Sequence, residues 1–172
     1  MTGDIKILKS HYGVEIFDVE DRTATSVTTS LKPGEPVKRI LNTSTHSAQP
    51  LATGDAEEAT DIFLGIVKKE STETASVDGK VEVELVGPGS VVQGLATTTS
   101  NINTVAKFLL LQGDYICFDV TASSGTNGIF TIDEDEGDDP NVHTGVILSN
   151  SPWQDGRINL LICHATLFYS TV

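Results

Sequence analysis

Six carboxylates occupy the seven positions from Asp133 to Asp139, inside the run "TIDEDEGDDPNVH". Such a cluster has three chemical uses: holding a cation, pairing an acid with a base across a sugar, or solvating a turn. A calcium loop of the EF-hand kind needs oxygen ligands at its first, third and fifth positions and glycine at the sixth. Counted from Asp133, the fifth position is Gly137 and the sixth is Asp138, so the register fails. Weak cation binding by Asp133, Asp135 and Asp138 stands as the alternative to no metal at all. A glycosidase pair requires two carboxyls roughly 5–9 Å apart across a cleft, which spacing in sequence does not decide. Without a cation, like charges this close repel, so the expectation is an outward loop lying in water.

The remaining chemistry-bearing residues are scattered. His11, His46, His143 and His164 form neither an H-x-H nor an H-x-x-x-H pair suited to zinc. Cys117 and Cys163 both fall in apolar, strand-like runs, "YICFDV" and "LLICHA". They read as buried free thiols; a disulfide would need neighbouring strands and an oxidising compartment. The chain has no G-x-S-x-G nucleophile turn, and "GPGSVVQG" has glycines but neither the lysine nor the following helix of a phosphate loop. The expectation is a protein that is not an enzyme and needs no cofactor.

Charge narrows the partners. The formal net charge is −13, and after Phe108 a single cation, Arg157, faces nine acidic residues. Phosphate binding requires Lys and Arg to replace counterions, so neither nucleic acid nor an anionic membrane surface is an expected partner. No stretch approaches the roughly 20 apolar residues of a membrane helix. The opening "MTGDIKILKSHYG" lacks the apolar region of a secretory signal, which points to synthesis in a cytoplasm. A length of 172 residues suits one domain with one core.

The elements that would position any site are mostly strands. "KVEVELVGPGS" alternates cleanly, with Val81, Val83 and Leu85 on one face and Lys80, Glu82 and Glu84 on the other. "DIFLGIVKK", "SVVQGLATT", "DYICFDVTA", "NGIFTID" and "HTGVILS" read as further strands, and Pro33-Gly34 as the turn before "PVKRIL". Asp78-Gly79 suits a tight hairpin turn. "RINLLICHATLFYS" is apolar on both faces and should run centrally. One helix is expected, about 103–112, capped by Asn103, with Val105, Phe108, Leu109 and Gln112 on one face and Gly113 ending it. The predicted fold is all-β: a single-domain β-barrel or β-sandwich, residues 31–172, with one short helix. Residues 1–30 are expected to form an N-terminal arm or edge strand, because a few apolar anchors precede a Thr/Ser-rich run with little to bury.

Several stretches taken in order, "LKPGEPVKRILN", "PLATGDAEEATDIFLGIVKKESTETASVDGKVEVELVGPGSVVQGLATTTSNINT", "GDYICFDV" and "TIDEDEGDDPNVHTGVIL", resemble the head-decoration (capsid cement) and minor head proteins of tailed bacteriophages. The resemblance covers about residues 31–165 and carries no catalytic signature. It implies a β-rich module on the outer capsid surface of the virion, commonly a homotrimer, with an N-terminal segment against the major capsid protein. On that reading Ile5, Ile7, Leu8, Tyr12, Ile16 and Phe17 are the candidate capsid-contact residues. The alternative is a β-sandwich glycan-binding or fibre-base module of the virion, using Trp153 in "SPWQDG" as a stacking platform. A small all-β hydrolase using Asp133, Asp135 or Glu136 is a third reading.

Overall fold

The computed structural model describes residues 5–19, 30–40, 47–50, 61–112, 115–121, 129–134 and 145–162. They contain the strands β1 (Lys6–Lys9), β2 (Val14–Val19), β3 (Pro36–Ile40), β4 (Gln49–Pro50), β5 (Asp61–Lys69) and β6 (Gly79–Leu85). The strands β7 (Val91–Leu95), β8 (Tyr115–Thr121), β9 (Ile129–Asp133), β10 (Gly145–Ile147) and β11 (Arg157–Ile162) follow, with one helix, α1 (Val105–Leu111), between β7 and β8. One sheet has the order β1-β7-β11-β10-β8-β9, the other β2-β6-β5-β3-β4. Every strand ladder in both is antiparallel. The protein is all-β, as its alternating runs predict.

The chain changes sheets twice along its strand order. β1 belongs to the six-stranded sheet, β2 to β6 form the other, and β7 to β11 return to the first. The return is made at Gly87-Pro88-Gly89, where the Ser90 N–H donates to Gly87 O (2.9 Å) and the Gly87 N–H to Ser90 Oγ (3.2 Å). Isolated parallel bridges join Asp18 to Ser47 and Ala96 to Ile132. These are single contacts, and among the described residues no ladder closes either sheet into a ring.

Among the described residues the buried apolar side chains form two clusters, where length alone predicts a single core. Val19, Leu31, Val37, Ala48, Val67, Val81 and Val83 pack under the five-stranded sheet. Ile5, Ile66, Val86, Val92, Ile102, Phe108, Ile132, Ile158, Leu160 and Ile162 belong to the other cluster. Strand β5 links them: Ile66 and Val67 are adjacent, so they point to opposite faces and enter different clusters. Each fully buried Val, Ile or Leu contributes about 1.5–3 kcal/mol of transfer free energy. The apolar strand β11 runs between β7 and β10, the central position its two-sided hydrophobicity requires.

Three local expectations need correction. The β5–β6 connection turns at Ala75-Ser76, where the Thr74 N–H donates to Val77 O at 2.9 Å, and not at Asp78-Gly79. Gly79 is needed for close approach instead: a Cβ there would stand 2.1 Å from the Glu73 nitrogen. Second, α1 is shorter than 103–112, and its cap is Thr104, not Asn103. Thr104 is extended (φ −134°, ψ 153°) and its hydroxyl accepts from the Lys107 N–H at 3.3 Å, which is the reach a cap side chain has to the third helical residue. Third, Val105 and Leu109 are exposed along with Leu110, because the helix's apolar packing on the body is made by Phe108 and Leu111. Gly113 lies outside the described residues. A seven-residue helix is unstable alone, so Thr104→Ala is expected to lower global stability by about 1 kcal/mol, read as a shifted urea midpoint with an unchanged slope.

Candidate interaction surface

Residues 5–19 tie the two sheets together. Ile5 is buried in the larger cluster, and its N–H faces Gly34 O at 3.3 Å. β1 then pairs with β7, and β2 pairs along its whole length with β6, ending at Val19 in the second cluster. Between them the chain is pinned over the end of β6. Ser10 Oγ donates to Leu85 O (2.6 Å), the Leu85 N–H donates to Gly13 O (2.9 Å), and the Tyr12 hydroxyl donates to Pro88 O (2.8 Å). The Tyr12 ring lies against Gly87, where any Cβ would come within 2.7 Å of it. Gly13 takes φ +81°, a left-handed turn that glycine makes without steric cost.

This path decides which apolar residues face outward. In the β1–β7 ladder Ile7 opposes Val92 and Lys9 opposes Val91, so Leu8 is an extra residue that the bulge turns into solvent. On β2, Phe17 and Val19 point inward, which sends Val14 and Ile16 outward; Ile16 is 64% exposed. Leu8, Tyr12, Val14 and Ile16 are therefore four exposed apolar residues within one hydrogen-bonded segment. Of the six residues expected to meet a partner, Leu8, Tyr12 and Ile16 are among these four. Ile5 is inside the chain's own core, and Ile7 and Phe17 are half-buried against it. Val14, an apolar anchor of the same segment, was not among the six, although it shares Ile16's side under the period of two. Residues 1–4 and 20–29 lie outside the described residues.

The acidic run begins differently from a solvated loop. Glu134 is 1% exposed. Both its carboxylate oxygens accept from the Thr98 N–H (3.1 and 3.2 Å), and Oε1 also accepts from Asn101 Nδ2 at 3.0 Å. Next to it the Thr97 N–H donates to Ile132 O (2.9 Å), and the Thr97 and Thr131 hydroxyls are 2.6 Å apart. Glu134 thus fastens the segment after β7 to the end of β9. The expectation that the whole run lies in water is corrected at this position. A signal was present: Glu134 directly follows β9, two residues beyond the buried Ile132. Asp133 ends β9, while Asp135, Glu136 and Asp138 lie outside the described residues. The proposed cation ligands Asp133, Asp135 and Asp138 therefore cannot be placed as a set. Among the described residues no group of three His, Cys, Asp or Glu is arranged to hold a metal.

Trp153 sits in a 3-10 turn, half-buried, with its ring stacked on Phe108 at a centroid distance of 6.0 Å and 19° between planes. That contact uses one ring face that a sugar would need. His11 is exposed in the β1–β2 connection, whereas His46, His143, His164 and Cys163 lie outside the described residues. No helix among the described residues is long and apolar enough to cross a membrane.

No family model, curated protein or solved structure matches the chain.

Proposed function

We propose that this chain is a virion structural protein: a decoration, or cement, protein on the outer surface of a tailed-phage head, where it binds and stabilises the major capsid protein lattice. The observation that carries the reading is the exposure of four apolar residues, Leu8, Tyr12, Val14 and Ile16, in one segment whose two edge strands are fixed to different sheets. A stiff body with an apolar margin suits a clamp between subunits. Burying a few such side chains contributes several kcal/mol at about 25 cal/mol per Å², before ordering costs. A homotrimer would multiply this through effective concentration. The net charge of −13 favours solubility and discourages adhesion between particles. The resemblance of residues 31–165 to head-decoration proteins supports the same role. For architecture, the bridges Asp18–Ser47 and Ala96–Ile132 support two rolled, barrel-like sheets over a flat sandwich.

Truncation is a poor test, because removing residues 1–30 would take Ile5 and Val19 out of the clusters they help fill. Leu8→Asp with Ile16→Asp leaves both clusters intact. Added to empty expanded heads of the cognate phage, the double variant is expected to show at least a tenfold loss of occupancy with an unchanged melting temperature. Undiminished occupancy would exclude Leu8 and Ile16 from the capsid contact.

A further inference from the structure

A cleft of about 580 Å³ opens where β1, β7 and β11 of one sheet meet β5 and β6 of the other. Three cations line it: Lys6, Lys68 and Arg157. Each has a local reason to point there. Lys6 opposes Gln93, which opposes Asn159, so Arg157, two residues along β11, shares their face. Lys68 is the bulged residue of the β5–β6 ladder, where Val67 opposes Val83 and Lys69 opposes Glu82. Four other lysines have partners: Lys32, Lys69 and Lys80 pair with Glu70, Glu82 and Asp18, and Lys107 donates to Ser100 O. Lys6, Lys68 and Arg157 make no such side-chain bond among the described residues, and one carboxylate, Glu84, shares the cleft with them. In a chain of net charge −13, this is a local excess of positive charge.

A second feature bounds the same cleft. β1 is the terminal strand of its sheet, so among the described residues its outer edge has no strand partner. Ile5, Lys6 and Ile7 all line the cleft, as do Ile66, Val67 and Lys68, which brings backbone as well as side chains to its walls. Open edges of this kind pair with added strands.

The geometry points to a docking site for an acidic, extended segment of a partner protein, laid along β1 with its carboxylates on Lys6, Lys68 and Arg157. Main-chain hydrogen bonds to the β1 edge would supply affinity, and the cations would select acidic over basic sequences. The apolar part of the cleft, from Ile7 and Ile66, suits alternate aliphatic side chains on the same segment. This inference does not rest on the capsid reading.

The test uses the full chain and a fluorescein-labelled peptide of alternating Glu and Val, followed by anisotropy. The peptide is expected to bind in low salt and weaken as salt rises, while a Lys-Val peptide does not bind. Lys68→Gln with Arg157→Gln should weaken binding at least tenfold at an unchanged melting temperature. Hydrogen exchange on the unmutated protein gives an independent reading: the peptide should slow exchange at Lys6–Lys9. Absence of binding, equal binding by the variant, or no protection at β1 would overturn the proposal. Citrate or inorganic phosphate displacing the peptide at the peptide's own concentration would overturn it too, marking a site for small oxyanions.

Discussion

Gly65→Ala is expected to destabilise the protein by about 3 kcal/mol or more, lowering the melting temperature by roughly 6–12 °C for a chain of this size. Gly65 lies inside β5, opposite Val37 of β3 and Leu85 of β6. A Cβ there would stand 2.1 Å from Glu84 O, 2.9 Å from Glu84 C and 3.0 Å from Leu85 Cα. All three are backbone atoms of a ladder in the middle of the sheet, so no side-chain rotation relieves the clash. β5 and β6 would have to separate, and β5 carries residues of both hydrophobic clusters. Gly89→Ala is the control. Its φ of +85° is unfavourable to alanine, yet nothing lies within 4 Å of the added carbon, so its cost is expected to be about 1–2 kcal/mol. Thermal melts of the two variants side by side separate close approach from backbone conformation. Similar small losses in both would show that β5 and β6 are not packed as described.

Glu134→Ala is expected to cost about 2–4 kcal/mol. The substitution removes the carboxyl acceptor shared by the Thr98 N–H and the Asn101 amide in a part-buried setting. Glu134→Gln keeps one carbonyl oxygen and should fall between the alanine variant and the unmodified protein. If the acidic run were solvated from its start, both substitutions would lie within about 0.5 kcal/mol of the unmodified protein, as exposed changes do. Urea denaturation of the three proteins decides between these outcomes.

The strands were legible because their cause is local. Alternation in "KVEVEL" and the two-sided apolar runs at "DIFLGIVKK" and "RINLLI" correspond to β6, β5 and β11. What alternation does not carry is which strands pair. The division of buried residues into two clusters depends on β1 and β2 joining different sheets, and that follows from the hydrogen bonds of Ser10, Tyr12 and Gly13. The helix was expected in the right stretch, but its bounds, its cap and its buried face differ from expectation. Spacing made Val105 and Leu109 companions of Phe108, while tertiary docking through Trp153 left them exposed. The exposed apolar residues of 5–19 were partly legible, as apolar anchors ahead of a Thr/Ser-rich run. Leu8 is exposed through a bulge that sequence does not announce. Glu134 shows the reverse case, a carboxylate hidden among like charges yet held by backbone and amide donors.

The central claim is a position on a particle, so a sub-nanometre reconstruction of the intact virion tests it most directly. The account predicts density for the two-sheet body on the outer face of the head, with Leu8, Tyr12 and Ile16 against the major capsid protein. A head that carries no copy of the chain, or one that binds it with Leu8, Tyr12 and Ile16 left in solvent, would contradict it.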